Sequence, residues 1–113
     1  MKYHVTGLLG AAAVATLFAT SAFAADCEVT HWWTSGGEAA AVAEFAKAFD
    51  ATGNHWVDGA IGGSGSVARP IIISRIMGGN PPCATQFNPG KDADDLVAAG
   101  LMQDLTELAT KEN

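Results

Sequence analysis

Short runs rich in β-branched and aromatic residues alternate along this chain with helix-length segments that end at glycine. That alternation limits the fold more than any other feature. "CEVTHWW" (27–33) reads as a strand that stops at a glycine pair. "GGEAAAVAEFAKAFDATG" (36–53) reads as a helix: Ala41, Phe45, Ala48 and Phe49 recur at helical spacing, and Gly53 stands where a stop is expected. Ser35 is placed to cap this helix, with Glu38 three residues on at capping-box spacing. "NHWVDGAI" (54–61) reads as a second strand and "GGSGS" (62–66) as a turn.

"SVARPIIISRIMGGNPP" (66–82) pulls two ways. Three consecutive isoleucines favour a strand by propensity. Ser66 as a cap, the charges of Arg69 and Arg75, and the terminator Gly78-Gly79-Asn80-Pro81-Pro82 favour a helix, which is the expectation here. Pro70 fits only near the first turn of such a helix. "CATQFN" (83–88) is a third short strand and "PGKDADDLVAAG" (89–100) a helix whose early aspartates suit its positive end. The last segment starts extended and turns helical after Asp104. The order β-α-β-α-β-α predicts an α/β fold: a parallel sheet with helices on its faces.

The first residues belong to a different kind of segment. Lys2, an apolar run from Val5 to about Ala19, and Ala22-Phe23-Ala24 have the pattern of a signal peptide cut after Ala24. The run carries Thr6, Gly7, Gly10 and Thr16, and is shorter than the ~20 apolar residues a membrane span needs. Cys27 is a poor lipid-attachment site, because Asp26 precedes it and Ala24 holds the position where Leu is usual. The expectation is a soluble exported domain over residues 25–113, located in the periplasm. The formal net charge is −6 and there is no basic cluster, which argues against nucleic acid or an anionic membrane as partner. In an exported chain the two cysteines, Cys27 and Cys83, read as a disulfide with one possible pairing. No histidine stands at zinc-like spacing from either, so neither a metal site nor a cofactor is expected.

Ligands of open α/β sheets bind beyond the carboxyl ends of the strands. "WWTSGGE", "GGSGS" and "TQFNPGK" occupy that position and are rich in small or polar residues. Side chains alternate along a strand, so Trp32 and Trp33 must point to opposite faces. An indole offers an apolar face and one N–H, which suits a sugar ring with its C–H face and hydroxyl rim. Rim hydrogen bonds would come from Glu38, Ser64, Gln86 and Asn88. Against this stands core packing of both tryptophans, with Glu38 merely capping its helix. "GGSGS" lacks the Lys-Ser/Thr of a phosphate loop and is not GxGxxG. His31 and His55 are scattered, and nothing in the spacing of Glu38 and Asp58 marks them as a glycosidase pair.

Three stretches, "THWWTSGGEAAAVAEFAKAF", "VARPIIISRIMGGNPPCATQFNPG" and "LVAAGLMQDLTELA", resemble the start of the bacterial extracellular solute-binding protein family 1. The closest branch is the glucose/mannose-type group of periplasmic sugar-binding proteins of ABC importers. The resemblance implies part of the N-terminal lobe of a two-lobed binding protein that closes on a small sugar, of monosaccharide size, and delivers it to the importer's permease subunits. It implies a binding protein, not an enzyme. It also implies a sugar site built from Trp32, Trp33, Glu38, Gly63, Ser64, Gln86 and Asn88. Asn88 departs from the histidine often found there, and Pro70 from the Thr or Ala usual early in that helix. Without the opposite wall of the cleft, this segment alone is expected to bind sugar weakly or not at all. The alternatives are another small solute, or a small disulfide-linked periplasmic carbohydrate-active enzyme using Glu38.

Overall fold

The computed structural model describes residues 24–112. Apart from Ala24, the expected leader lies outside these residues. Three strands, β1 (Asp26–His31), β2 (His55–Ala60) and β3 (Ala84–Thr85), form one parallel sheet in the order β2-β1-β3. Four helices complete the chain: α1 (Gly36–Asp50), α2 (Ser64–Met77), α3 (Lys91–Ala98) and α4 (Thr106–Glu112). This is the α/β architecture that the alternation predicts.

Alternation along β1 sorts the layers. Glu28, Thr30 and Trp32 turn toward α2. Glu28 meets Arg75 there, and Trp32 meets Gly65. On the other side, His31 and Trp33 border α1 through Val42. The core lies under α2, where Ala68, Ile72 and Ile76 recur on one helix face and meet Leu96 of α3, with Trp32, Ile61, Ile73 and Phe87 around them. Burying such side chains stabilises by roughly 1.5–3 kcal/mol apiece for the larger ones. The isoleucine triplet is thus read out by helical rotation: Ile72 is buried, Ile73 half-buried and Ile71 exposed.

Cys27 and Cys83 form the expected disulfide, with Cα atoms 5.1 Å apart. It ties the first strand to the segment entering the third. The Thr30 and Thr85 hydroxyls hydrogen-bond at 2.8 Å across the same strand pair.

Several boundaries differ from expectation. β1 ends at His31, before both tryptophans, because the Trp32 N–H turns out of the ladder to the Gln86 side chain. β3 is only two residues long, with Val29 opposite Ala84 and Thr30 opposite Thr85. The helix α2 begins at Ser64 rather than Ser66, so most of the expected "GGSGS" turn is its first turn. Pro70 consequently lies inside the helix rather than near its start. Ser35 takes the N-cap position of α1, but its side chain makes no capping bond and donates instead to the Glu38 carboxylate. The face of α1 is also rotated: Val42 is its buried residue, Ala41 and Ala48 are exposed, and Phe45 is 56% exposed. An alanine-rich helix has apolar residues all round, so spacing alone does not choose a face.

Candidate functional site

Parallel pairing brings the carboxyl ends of all three strands to one edge of the sheet, with β1 central. Trp32 and Trp33 leave β1 there. Glu38 follows in the first turn of α1, Gly63 and Ser64 open α2, and Gln86 and Asn88 follow β3. The fold therefore gathers all seven expected residues on segments leaving one edge.

The two tryptophans lie just past the end of β1 and still divide, Trp32 toward α2 and Trp33 toward α1, and neither is fully buried. Trp32 lies over the backbone of Gly65. A Cβ at Gly65 would stand 3.1 Å from two indole carbons of Trp32 and 3.1 Å from Nη1 of Arg69. A side chain at this position would press on both. Trp33 borders a shallow cleft of about 340 Å³ with Gly37, Glu38 and Ala41. It also lines a cavity of about 240 Å³ beneath α1 that includes Gln86. Trp33 thus borders two hollows, one with Glu38 and one with Gln86, whereas Trp32, Gly63, Ser64 and Asn88 line neither.

Hydrogen bonding presets the polar groups. The Trp32 N–H donates to Oε1 of Gln86 at 3.1 Å, and the Gln86 N–H donates to the Thr30 carbonyl at 2.8 Å. A backbone N–H can only donate, so Gln86 must face it with its carbonyl and keep its NH₂ available as a donor. Asn88 is set the opposite way. Its Nδ2 donates to Oδ2 of Asp92 at 3.3 Å, which leaves its carbonyl available as an acceptor. Glu38 takes the Ser35 hydroxyl on Oε2 at 3.0 Å and is otherwise exposed.

The start of α2 is conformationally unusual. Gly63 has φ +95° and Ser64 φ +69°, two successive left-handed residues. Glycine adopts this freely; for serine it costs about 1–3 kcal/mol, and such residues concentrate at binding sites. The turn presents the first N–H groups of α2, which have no partner within the helix. The Ser64 and Ser66 hydroxyls lie 2.9 Å apart beside them.

A second polar cluster lies under α1. His31 Nε2 and Asp58 Oδ1 are 2.6 Å apart. His31 Nδ1 and Trp56 Nε1 are buried and meet no hydrogen-bond partner among the described residues. Asp58 is thus engaged with His31, and it and Glu38 line different hollows, so the two are not drawn into one pair. Among the described residues no three His, Cys, Asp or Glu side chains are placed to hold a metal ion. Sequence reasoning assigned no site role to Gly65, Arg69 or Asp92. The signal for Gly65 and Arg69, and for Asn88 and Asp92, was their four-residue spacing, which sets residues side by side on a helix or its entry turn.

No family model matches the chain. It is 44% identical over 109 residues to a probable sugar-binding periplasmic protein of Mesorhizobium japonicum, covering 93% of this chain and 26% of that protein. It is 42% identical over 104 residues to a probable sugar-binding periplasmic protein of Rhizobium meliloti, covering 90% of this chain and 25% of that protein. An uncharacterized ABC transporter extracellular-binding protein of Pyrococcus horikoshii is 26% identical over 90 residues, or 77% of this chain and 20% of the relative. The chain therefore spans about a quarter of the length of these curated relatives. These names describe binding proteins rather than enzymes.

Proposed function

Because the chain is a homologue of bacterial periplasmic sugar-binding proteins and spans about a quarter of their length, we propose that it supplies one wall of a sugar site in the periplasmic binding component of an ABC importer. The ligand is a monosaccharide, and the assignment within the group is to the glucose/mannose-type branch. The partners are the permease subunits of the importer.

The observation that carries this reading is the preset polarity at the strand ends. Gln86 is held as a donor by Trp32, and Asn88 as an acceptor by Asp92. A sugar hydroxyl both donates and accepts, so two amides of opposite orientation on one short segment match a pair of ring hydroxyls. Trp33 supplies an apolar surface beside the Glu38 carboxylate. Trp32, by contrast, serves mainly to anchor Gln86 and the start of α2. The N–H groups after Gly63 and Ser64 add donors at the same edge.

One wall gives little burial, and affinity follows from how much of the ligand is enclosed. The chain from Ala25 onward, titrated with glucose, mannose and galactose, should show saturable NMR shifts at the Trp33 indole with a Kd of about 1 mM or weaker. A micromolar Kd would contradict the single-wall reading. Shifts with none of the three sugars, in a chain whose amide spectrum shows it folded, would sink the reading that this wall engages sugar by itself.

A further inference from the structure

We propose that Asp92, held in place by Arg69, is a positioning residue that fixes the Asn88 amide with its carbonyl toward the ligand. The inference rests on the sugar-site reading above and adds two residues outside it. Asp92 Oδ2 receives both partners: Asn88 Nδ2 at 3.3 Å and Arg69 Nη1 at 3.3 Å. Asn88 is exposed and would otherwise turn its amide freely. A carboxylate accepts hydrogen bonds and donates none, so it admits only the NH₂ of Asn88. The carbonyl is then the end left for a ligand.

Arg69 keeps that carboxylate from wandering. It projects from α2 over Gly65, beside the Trp32 indole, with 28% of its side chain exposed. It is packed on one side and paired on the other, so its position is set by the core of the fold. A chain of contacts thus runs from Trp32 and Gly65 through Arg69 and Asp92 to Asn88. Its consequence is a specificity rule. The ligand hydroxyl that meets Asn88 must donate, and a group that can only accept is disfavoured there.

Fluorine replaces a hydroxyl in size but donates no hydrogen bond. The experiment titrates the isotopically labelled chain with glucose and its monodeoxyfluoro derivatives, for the parent, Asp92→Ala and Arg69→Met. The backbone amide spectrum reports whether each variant keeps the fold. In the parent, one fluoro derivative should bind about three- to tenfold more weakly than glucose, the loss expected for one hydrogen bond. In Asp92→Ala that penalty should shrink to less than twofold, because the freed amide can turn its NH₂ to the fluorine. Arg69→Met should reduce it partway. A merely structural role would weaken all the sugars together and leave the ratio unchanged. In the ligand-free chain, the Asn88 side-chain NH₂ protons should exchange faster in both variants.

If the parent binds glucose but the variants keep its ratio and its Asn88 exchange, the positioning role is overturned and the sugar site survives. If the folded parent binds no sugar, the reading that this wall engages sugar by itself falls, and this role falls with it.

Discussion

Arg75 donates two hydrogen bonds to the Glu28 carboxylate, Nη1 to Oε1 and Nη2 to Oε2, each 2.7 Å long. The pair joins the central strand to the last turn of α2. Arg75 also donates from Nε to the Asn80 carbonyl at 3.2 Å, which draws in the loop leading to Cys83. These hydrogen bonds hold the Glu28 carboxyl below the ordinary glutamate range and raise the Arg75 guanidinium further. Partial burial of Glu28 opposes the shift without reversing it.

A folded-state pKa below the unfolded one contributes its full stability only where the carboxyl is ionised in both states. The contribution is therefore present above the unfolded glutamate pKa and is lost as pH falls through the depressed folded value. Glu28→Gln should melt at a lower temperature than the parent at pH 7. The gap should close as pH drops below about 4. Thermal melts followed by circular dichroism from pH 7 to pH 2 check this, and a gap independent of pH would contradict it.

The Cys27–Cys83 bond closes a loop spanning a sequence separation of 56 residues. It encloses β1, α1, β2 and α2, nearly the whole sheet. Restricting the unfolded chain over a loop this long stabilises by about 4 kcal/mol in the chain-entropy model. Cys83→Ser, or reduction of the parent, should lower stability by roughly 2–4 kcal/mol in urea unfolding. Equal midpoints with and without reductant would show that the bond contributes nothing.

Pro70 lies inside α2 and is exposed. It has no N–H to give the Ser66 carbonyl, and its ring crowds that carbonyl. Pro70→Ala restores the bond at a position where no packing is lost. It should raise stability by about 1–3 kcal/mol, seen as a higher urea midpoint with an unchanged slope. A destabilised variant would mean that the ring makes a contact worth more than the missing bond.

Gly65 is buried between Trp32 and Arg69. An added methyl would press on the Arg69 guanidinium, which is paired with Asp92, and on the indole, which cannot yield without moving the segment that anchors Gln86. Gly65→Ala should cost about 1–3 kcal/mol by overpacking. It should also shift the Trp32 indole resonance and speed exchange of the Trp32 amide. An unperturbed Trp32 in a stable variant would show that the approach is looser than described.

Much of this was legible along the chain. Strand and helix order follow from local composition, because β-branched runs and glycine stops act over a few residues. The disulfide followed from there being only two cysteines in a chain whose first residues read as an export signal. Strand alternation, carried past the end of β1, anticipated that Trp32 and Trp33 would part. The edge on which the seven expected residues gather followed from parallel pairing, which makes every strand end on the same side.

Other features needed the third dimension. The end of β1 is decided by the Gln86 side chain, 54 residues away, capturing the Trp32 N–H. The start of α2 depends on whether Ser64 tolerates a left-handed backbone, which Gly65 packing against Trp32 accompanies. The face of α1 is chosen by the sheet, since Val42 meets it while Phe45 does not stay buried. The sequence by itself determined the elements, their order and the residues at the strand ends. Tertiary structure decided which way those residues face, because orientation rests on single hydrogen bonds and close approaches between segments far apart in the chain.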